Sequence, residues 1–190
     1  MFNYAAMNLQ EDWGLNKDWT LFLDRDGVIN IEKHLDYIRS AEELQCYPGV
    51  IEKFSTLNQV FGRVVVVTNQ RGIGKGLMTT NDLQSIHHHL SRQLKQHQAH
   101  IDAYYFAPDI DSLSPNRKPN TGMALQAKQQ FSEIDFERSI MVGNNLSDME
   151  FGKRMLMKTV FVETTTPIEE PHPWIDLKLP DLVSFIELLG

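Results

Sequence analysis

The sequence predicts an α/β fold: a three-layer sandwich around a parallel sheet, with no large cap domain. Three observations carry this expectation. Five short apolar runs, at 20–24, 63–68, 103–106, 140–142 and 159–162, alternate with helix-like stretches, a pattern that builds parallel sheets covered by helices. The second run holds Val64-Val-Val-Val67, β-branched throughout and without polar alternation, as a strand buried on both faces requires. Polar, chemistry-bearing residues follow the strand ends, where open parallel sheets bind their ligands.

Each element has its own signals. Trp13 and Trp19 are apolar anchors for the N-terminal segment, and 1–18 reads as an N-terminal extension of one domain spanning 1–190. The first strand ends at Asp24, and residues 30–47 make a long excursion before the next helix. Excursions of that length are usually functional, yet this one is too short for a cap. Pro48 and Gly49 punctuate the start of a helix at 50–59. A longer helix at 81–97 carries Leu83, Ile86, Leu90 and Leu94 at helical spacing, with Thr79 and Asp82 as a capping-box start. His87-His-His89 lies on it. Consecutive residues point around a helix rather than toward one another, so this triplet reads as a solvated face. Residues 109–120 form an irregular segment rich in Pro, Ser and Asn, and helices follow at 121–131, 147–155 and 181–189.

Composition narrows the function. The 190 residues are 42% hydrophobic and carry a net charge of −7 with no basic run. That argues against nucleic acid as a partner, while leaving room for a small anion held by a local cluster of donors. No stretch approaches the ~20 apolar residues of a membrane span. Cys46 is the single cysteine, which fits a reducing compartment, and the acidic N-terminus lacks the pattern of a signal peptide. A cytoplasmic protein with no membrane partner is expected. Cys46 itself reads as packing rather than as a nucleophile.

The chemistry concentrates after four strands. The run Leu21-Phe-Leu-Asp-Arg-Asp-Gly-Val-Ile-Asn30 places Asp24 and Asp26 two apart, so both can face one point beyond the strand end. Such a pair suits a divalent cation bound by hard oxygens and a carboxylate nucleophile backed by an acid/base. The second strand leads into Thr68-Asn-Gln-Arg-Gly-Ile-Gly-Lys-Gly76, the third into Arg117-Lys-Pro119, and the fourth into Gly143-Asn-Asn-Leu-Ser-Asp148.

These four pieces resemble the four motifs of the haloacid dehalogenase superfamily of phosphohydrolases. The resemblance extends from about residue 20 to 165. It is closer to the branch of D-glycero-D-manno-heptose 1,7-bisphosphate 7-phosphatases and histidinol-phosphate phosphatases, through Asp24 to Asn30, Val66-Val-Thr-Asn-Gln70, Tyr104-Tyr105, Arg117-Lys-Pro119 and Met141-Val-Gly143. With it goes the expected sheet order, 3-2-1-4-5 with the first strand central. The resemblance implies a phosphatase in carbohydrate metabolism, with catalytic Asp24, Asp26, Thr68 and Lys118. The implied Mg²⁺ would be held by Asp24, Asp26, Asn144 and Asp148. Substrate would be met by Asn69, Gln70, Arg71, Lys75, Arg117 and Asn145. The implied partner is a small phosphorylated metabolite, and the protein a monomer or small homo-oligomer.

Two positions depart from the branch. The fourth motif usually begins Gly-Asp, and Asn144 replaces that charged ligand, which implies a weaker cation site or, alternatively, a degenerate phosphatase that only binds its ligand. The loop before Arg117 has neither Cys nor His in 106–116, so no structural zinc is expected there.

Overall fold

A computed structural model describes residues 7–169 and 171–190. Its centre is a six-stranded parallel sheet, β1 (Thr20–Leu23), β2 (Arg63–Asn69), β3 (Ala103–Ala107), β4 (Ser139–Gly143), β5 (Lys158–Val162) and β6 (Leu177–Leu179), in the order β3-β2-β1-β4-β5-β6. The five expected strands stand in their expected order, and β6 extends the sheet past β5. β1 is paired on both sides, Leu23 lying opposite Val66 of β2 and Val142 of β4. The Asp24 N–H donates to the Val142 carbonyl at 3.0 Å, so pairing continues to the residue that leaves the sheet.

Strand side chains alternate between two cores, because successive residues face opposite ways. Leu21, Leu23, Val64, Val66, Ile140 and Val142 pack on one face with α2 (Val50–Val60), α4 (Thr80–Gln96) and α7 (Leu182–Glu187). Phe22, Val65, Val67, Met141 and Phe161 pack on the other with α5 (Gly122–Gln130) and α6 (Leu146–Arg154). The valine run thus feeds both layers. Thr79 and Asp82 form the expected capping box at the start of α4, at 2.8 and 3.1 Å.

A short helix, α1 (Leu9–Trp13), also belongs to the domain. Leu9 is buried, its N–H donates to the Leu188 carbonyl at 2.9 Å, and Trp19 is buried with it. The N-terminal segment from Met7 onward is therefore a part of the first core rather than an appendage; residues 1–6 of the expected extension lie outside the described residues.

One expectation is corrected. The histidine triplet is not wholly solvated: His87 lies 7% exposed against the Tyr104 ring, centroids 4.3 Å apart and nearly parallel. Three consecutive helical residues sweep most of a turn, so one of them faces the core whenever its neighbours face water. Burial, reinforced by the nearby Arg25 cation, pushes the His87 imidazole down to about 3.

This burial makes stability depend on pH. The unfolded chain takes up this proton near 6.5, the ordinary value for His, while the folded protein refuses it until about 3. A depressed pKa stabilises the fold above 6.5, and that stability drains as pH falls. Linkage at about 1.4 kcal/mol per pH unit implies a loss of about 2 kcal/mol between pH 7 and pH 5. His87→Phe, which keeps a ring against Tyr104, should lose that much less over the same interval in urea unfolding. Equal losses in both proteins would place the acid sensitivity elsewhere.

Candidate active site

All four motif segments arrive at the carboxyl edge of the sheet. Between them lies an open cavity of about 410 Å³ lined by Asp24, Lys33, Tyr37, Asn69, Arg71, Lys75, Arg117 and Asn145, among others. A smaller hollow of about 140 Å³ beside it touches Asp24, Asp26 and Thr68. A larger hollow, about 480 Å³, sits at the opposite strand ends. There Arg63 and Arg138 are already ion-paired, with Asp102 and Glu133 and with Asp18 and Asp135. Its cations are committed to the fold.

The floor of the site is a buried ion cluster. Lys118, 2% exposed, places its Nζ 3.1 Å from Asp24 Oδ2 and 2.7 Å from Asp148 Oδ1, and donates to the Val67 carbonyl at 2.7 Å. Burial works against its charge, but the carboxylates of Asp148 and Asp24 more than compensate and raise its pKa. Asp24 is in the opposite condition. Burial drives its pKa up to about 7; Lys118 opposes the rise, and Asp148 and Asp26 add to it. The other Asp24 oxygen accepts the Arg25 N–H at 2.7 Å.

Two neighbours hold Lys118 in place. Asn69, at the end of β2, accepts the Lys118 N–H on Oδ1 at 3.0 Å and donates to the Lys118 carbonyl from Nδ2 at 3.2 Å. Asp148 approaches because Gly143 has no side chain; a Cβ there would sit 2.3 Å from the Asp148 Cβ. Asp148 also accepts the Asn145 N–H at 3.0 Å, fixing the first turn of α6.

Asp26 is held differently. Arg25 is fully buried and its Nη2 reaches both Asp26 oxygens at 2.8 Å. Asn30 and Gln70 add donors at 3.0 and 2.9 Å. Burial favours the protonated acid, yet the Arg25 charge and these hydrogen bonds outweigh it and lower the Asp26 pKa. Two adjacent carboxylates thus have pKa values pushed apart, the pattern of groups assigned to different tasks.

The expected site residues divide accordingly. Asp24, Asp26, Thr68, Asn69, Arg71, Lys75, Arg117, Asn145 and Asp148 all border the two hollows. Gln70 does not. It is buried and spends its amide on Asp26 and on Thr68 Oγ1. Asn69 has both amide ends on Lys118, and Asp148 is turned to Lys118. Lys118 and Asn144 lie beneath the surface, 2% and 1% exposed. Arg25, Asn30, Glu32 and Tyr37 were missed. The Tyr37 ring receives Lys75 Nζ at 5.3 Å from its centroid.

For a divalent cation the chain offers hard oxygens. Among the described residues no three His, Cys, Asp or Glu converge on one point, so a cation would need a mixed donor set. The Asp24 carboxylate, the Asp26 carbonyl and the Asn144 side-chain oxygen supply one, and no described residue donates a hydrogen bond to that carbonyl. Burial raises the Asp24 pKa, so a bound cation would favour the ionised carboxylate there. These donors fit Mg²⁺, which favours oxygen, and lack the thiolate and imidazole that zinc prefers. The segment at 106–116 is ordered within the chain: Arg117 donates to the Asp109 carbonyl at 3.1 Å, and Asn120 to those of Ser112 and Ser114 at 3.0 and 2.9 Å.

Fold and site together define a phosphatase of the haloacid dehalogenase type, and comparisons with known proteins specify the group. A family profile described as polynucleotide kinase 3 phosphatase matches residues 17–163. The D-glycero-β-D-manno-heptose-1,7-bisphosphate 7-phosphatase of Helicobacter pylori is 33% identical over 172 residues, 88% of this chain and 96% of the relative. The corresponding α-anomer enzyme of Mycobacterium bovis is 39% identical over 133 residues, 70% of each chain. The crystal structure of D,D-heptose 1,7-bisphosphate phosphatase from B. bronchiseptica, complexed with magnesium and phosphate, superposes with a TM-score of 0.82. It is 28% identical, covering 90% of this chain and 97% of that one. The chain belongs to the heptose-bisphosphate 7-phosphatase family of haloacid dehalogenase-like hydrolases.

Lys118→Met tests the buried cluster. It leaves Asp24 and Asp148 facing an apolar group, and breaking a buried ion pair costs about 3–5 kcal/mol. Without the ammonium the already raised Asp24 pKa rises further, and the cost is felt as pH climbs from the unfolded carboxyl range to that raised value. Urea unfolding should show a larger deficit against wild type at pH 8 than at pH 5.5. A deficit equal at both would mean that the lysine acts by packing alone.

Proposed function

We propose that this chain is a Mg²⁺-dependent phosphomonoester hydrolase of the cytoplasm, acting in carbohydrate metabolism on a heptose 1,7-bisphosphate. The observation that carries this reading is the placement of two cationic regions on one cavity. Lys118 lies under Asp24 at its floor, and Arg71, Lys75 and Arg117 line the wider part. Burial first, and then the Arg71 charge, lower the Arg117 pKa, so the two cations lie near each other. A bisphosphate has a group for each region; histidinol phosphate, with one, leaves the second unanswered. The net charge of −7 and the acidic Glu32 and Asp36 on the rim disfavour a nucleic-acid substrate.

In this reading Asp24 attacks phosphorus, the bond from phosphorus to the sugar oxygen breaks, and an aspartyl-phosphate forms. Asp26 gives a proton to the departing oxygen and later takes one from the water that cleaves the intermediate. The resting site favours ionised Asp26, so the acid form arises when a phosphate dianion beside it pushes that carboxyl back up. Thr68 and Lys118 face the charge gathering on the phosphoryl oxygens. Asn69, Gln70 and Arg25 position these groups. Magnesium, when bound, supplies charge neutralisation between Asp24 and the phosphate, and Asp24, the Asp26 carbonyl and Asn144 would hold it.

Phosphate release should be measured with both anomers of heptose 1,7-bisphosphate, histidinol phosphate and a 3′-phosphorylated oligonucleotide, with and without Mg²⁺. The bisphosphate should lead in kcat/KM by at least 10-fold, and Asp24→Asn should remove turnover with the fold intact. Preference for histidinol phosphate would reassign the substrate, and an active Asp24→Asn would remove the covalent mechanism.

A further inference from the structure

The position that departs from the family, Asn144, is held by a partner outside the four motifs. Its Nδ2 donates to Glu32 Oε2 at 3.0 Å and to Thr165 Oγ1 at 2.9 Å. Its Oδ1 receives only a long contact, 3.3 Å, from the Asn145 amide. The side chain is 1% exposed and lies against Gly27, where a Cβ would sit 2.0 Å from Nδ2. Gly27 has φ +79°, and the Thr164 hydroxyl donates to its carbonyl. Glu32 and the 164–165 segment thus close around the amide from two sides.

An amide has two unlike ends, and a carboxylate only accepts hydrogen bonds. Glu32 therefore forces the nitrogen of Asn144 toward itself and leaves the oxygen as the free end. An aspartate would need no such help, because its two oxygens are equivalent. We propose that Glu32 is the positioning residue that makes Asn144 usable as a cation ligand. It fixes which end of the amide is presented, and it returns to the rim the negative charge that Asn144 lacks. The loop at 31–46 then serves the metal site as well as the cavity wall. The inference rests on the reading of the site as a divalent-cation site.

A metal-binding cycle tests it without relying on turnover. Mn²⁺ serves as the probe, its binding followed by the electron paramagnetic resonance signal of the free ion, with the melting temperature of each metal-free variant recorded alongside. In the Asn144 background, Glu32→Met should weaken Mn²⁺ binding about 10-fold, the lower end of the range for partners that orient metal ligands. Glu32→Gln keeps an acceptor oxygen and should lose no more than about threefold. In the Asn144→Asp background, Glu32→Met should change affinity less than about threefold, because a carboxylate has no end to orient. Equal losses for Met and Gln, or the same loss in both backgrounds, would reduce Glu32 to a distant charge and overturn the assignment. Wild type that binds no Mn²⁺ would overturn the cation reading itself, and the assignment with it.

Discussion

The ammonium of Lys118 sits between two carboxylates with almost no water, and much of the active edge is arranged to make that possible. A buried lysine is costly, and so is a buried aspartate; each is tolerable here because the other is fixed within about 3 Å. Fixing them recruits a glycine at 143, an asparagine at 69, a main-chain carbonyl at 67 and the first turn of α6. The arrangement is not a means to stability, since buried ion pairs seldom exceed a well-packed apolar substitute. It provides instead a charge whose position is set before any ligand arrives. For a reaction in which charge spreads over phosphoryl oxygens, fixed donors need not reorganise as the barrier is crossed.

Asp24 and Asp26 show how fine the control is. They are two residues apart on one turn and burial pushes both carboxyls upward, yet one is carried toward neutrality and the other held ionised. The difference comes from the groups that face each. Asp24 meets one ammonium that it shares with Asp148, whereas Asp26 has a whole guanidinium and two amides. The proposed mechanism asks for a nucleophile and an acid/base that do not exchange roles, and unequal partners are what it would use to keep them apart.

The five inner strands and the convergence of four motif segments were legible because both derive from period: apolar runs give the strands, and the polar residues at the end of each run give the edge. Their order β3-β2-β1-β4-β5 was expected with the family resemblance. β6 was missed because Leu177-Lys-Leu179 is three residues long and comes after an irregular stretch. Arg25 escaped because it stands between two aspartates that share a face, which by alternation sends it to the other side. The chain turns after Leu23, alternation ends, and the guanidinium folds back beneath Asp26. Glu32 and Tyr37 lie in a loop without periodicity, where only tertiary contacts assign a partner. His87 was misjudged because a triplet invites treatment as one object, although helix geometry separates its members. Asn69 and Gln70 were expected to meet substrate, and their amides instead face Lys118, Asp26 and Thr68, since sequence does not reveal which way an amide faces.

Asn69 grips the main chain of Lys118 at both its N–H and its carbonyl, so the end of β2 and the turn at 117–119 are tied to each other. In terms of descent, those two positions are not free to drift apart. A change at 69 would leave the lysine in place in the sequence and misplace it in space. Loss of activity in a relative would then be recorded at a residue that acts through the lysine, while that lysine and both aspartates remained intact.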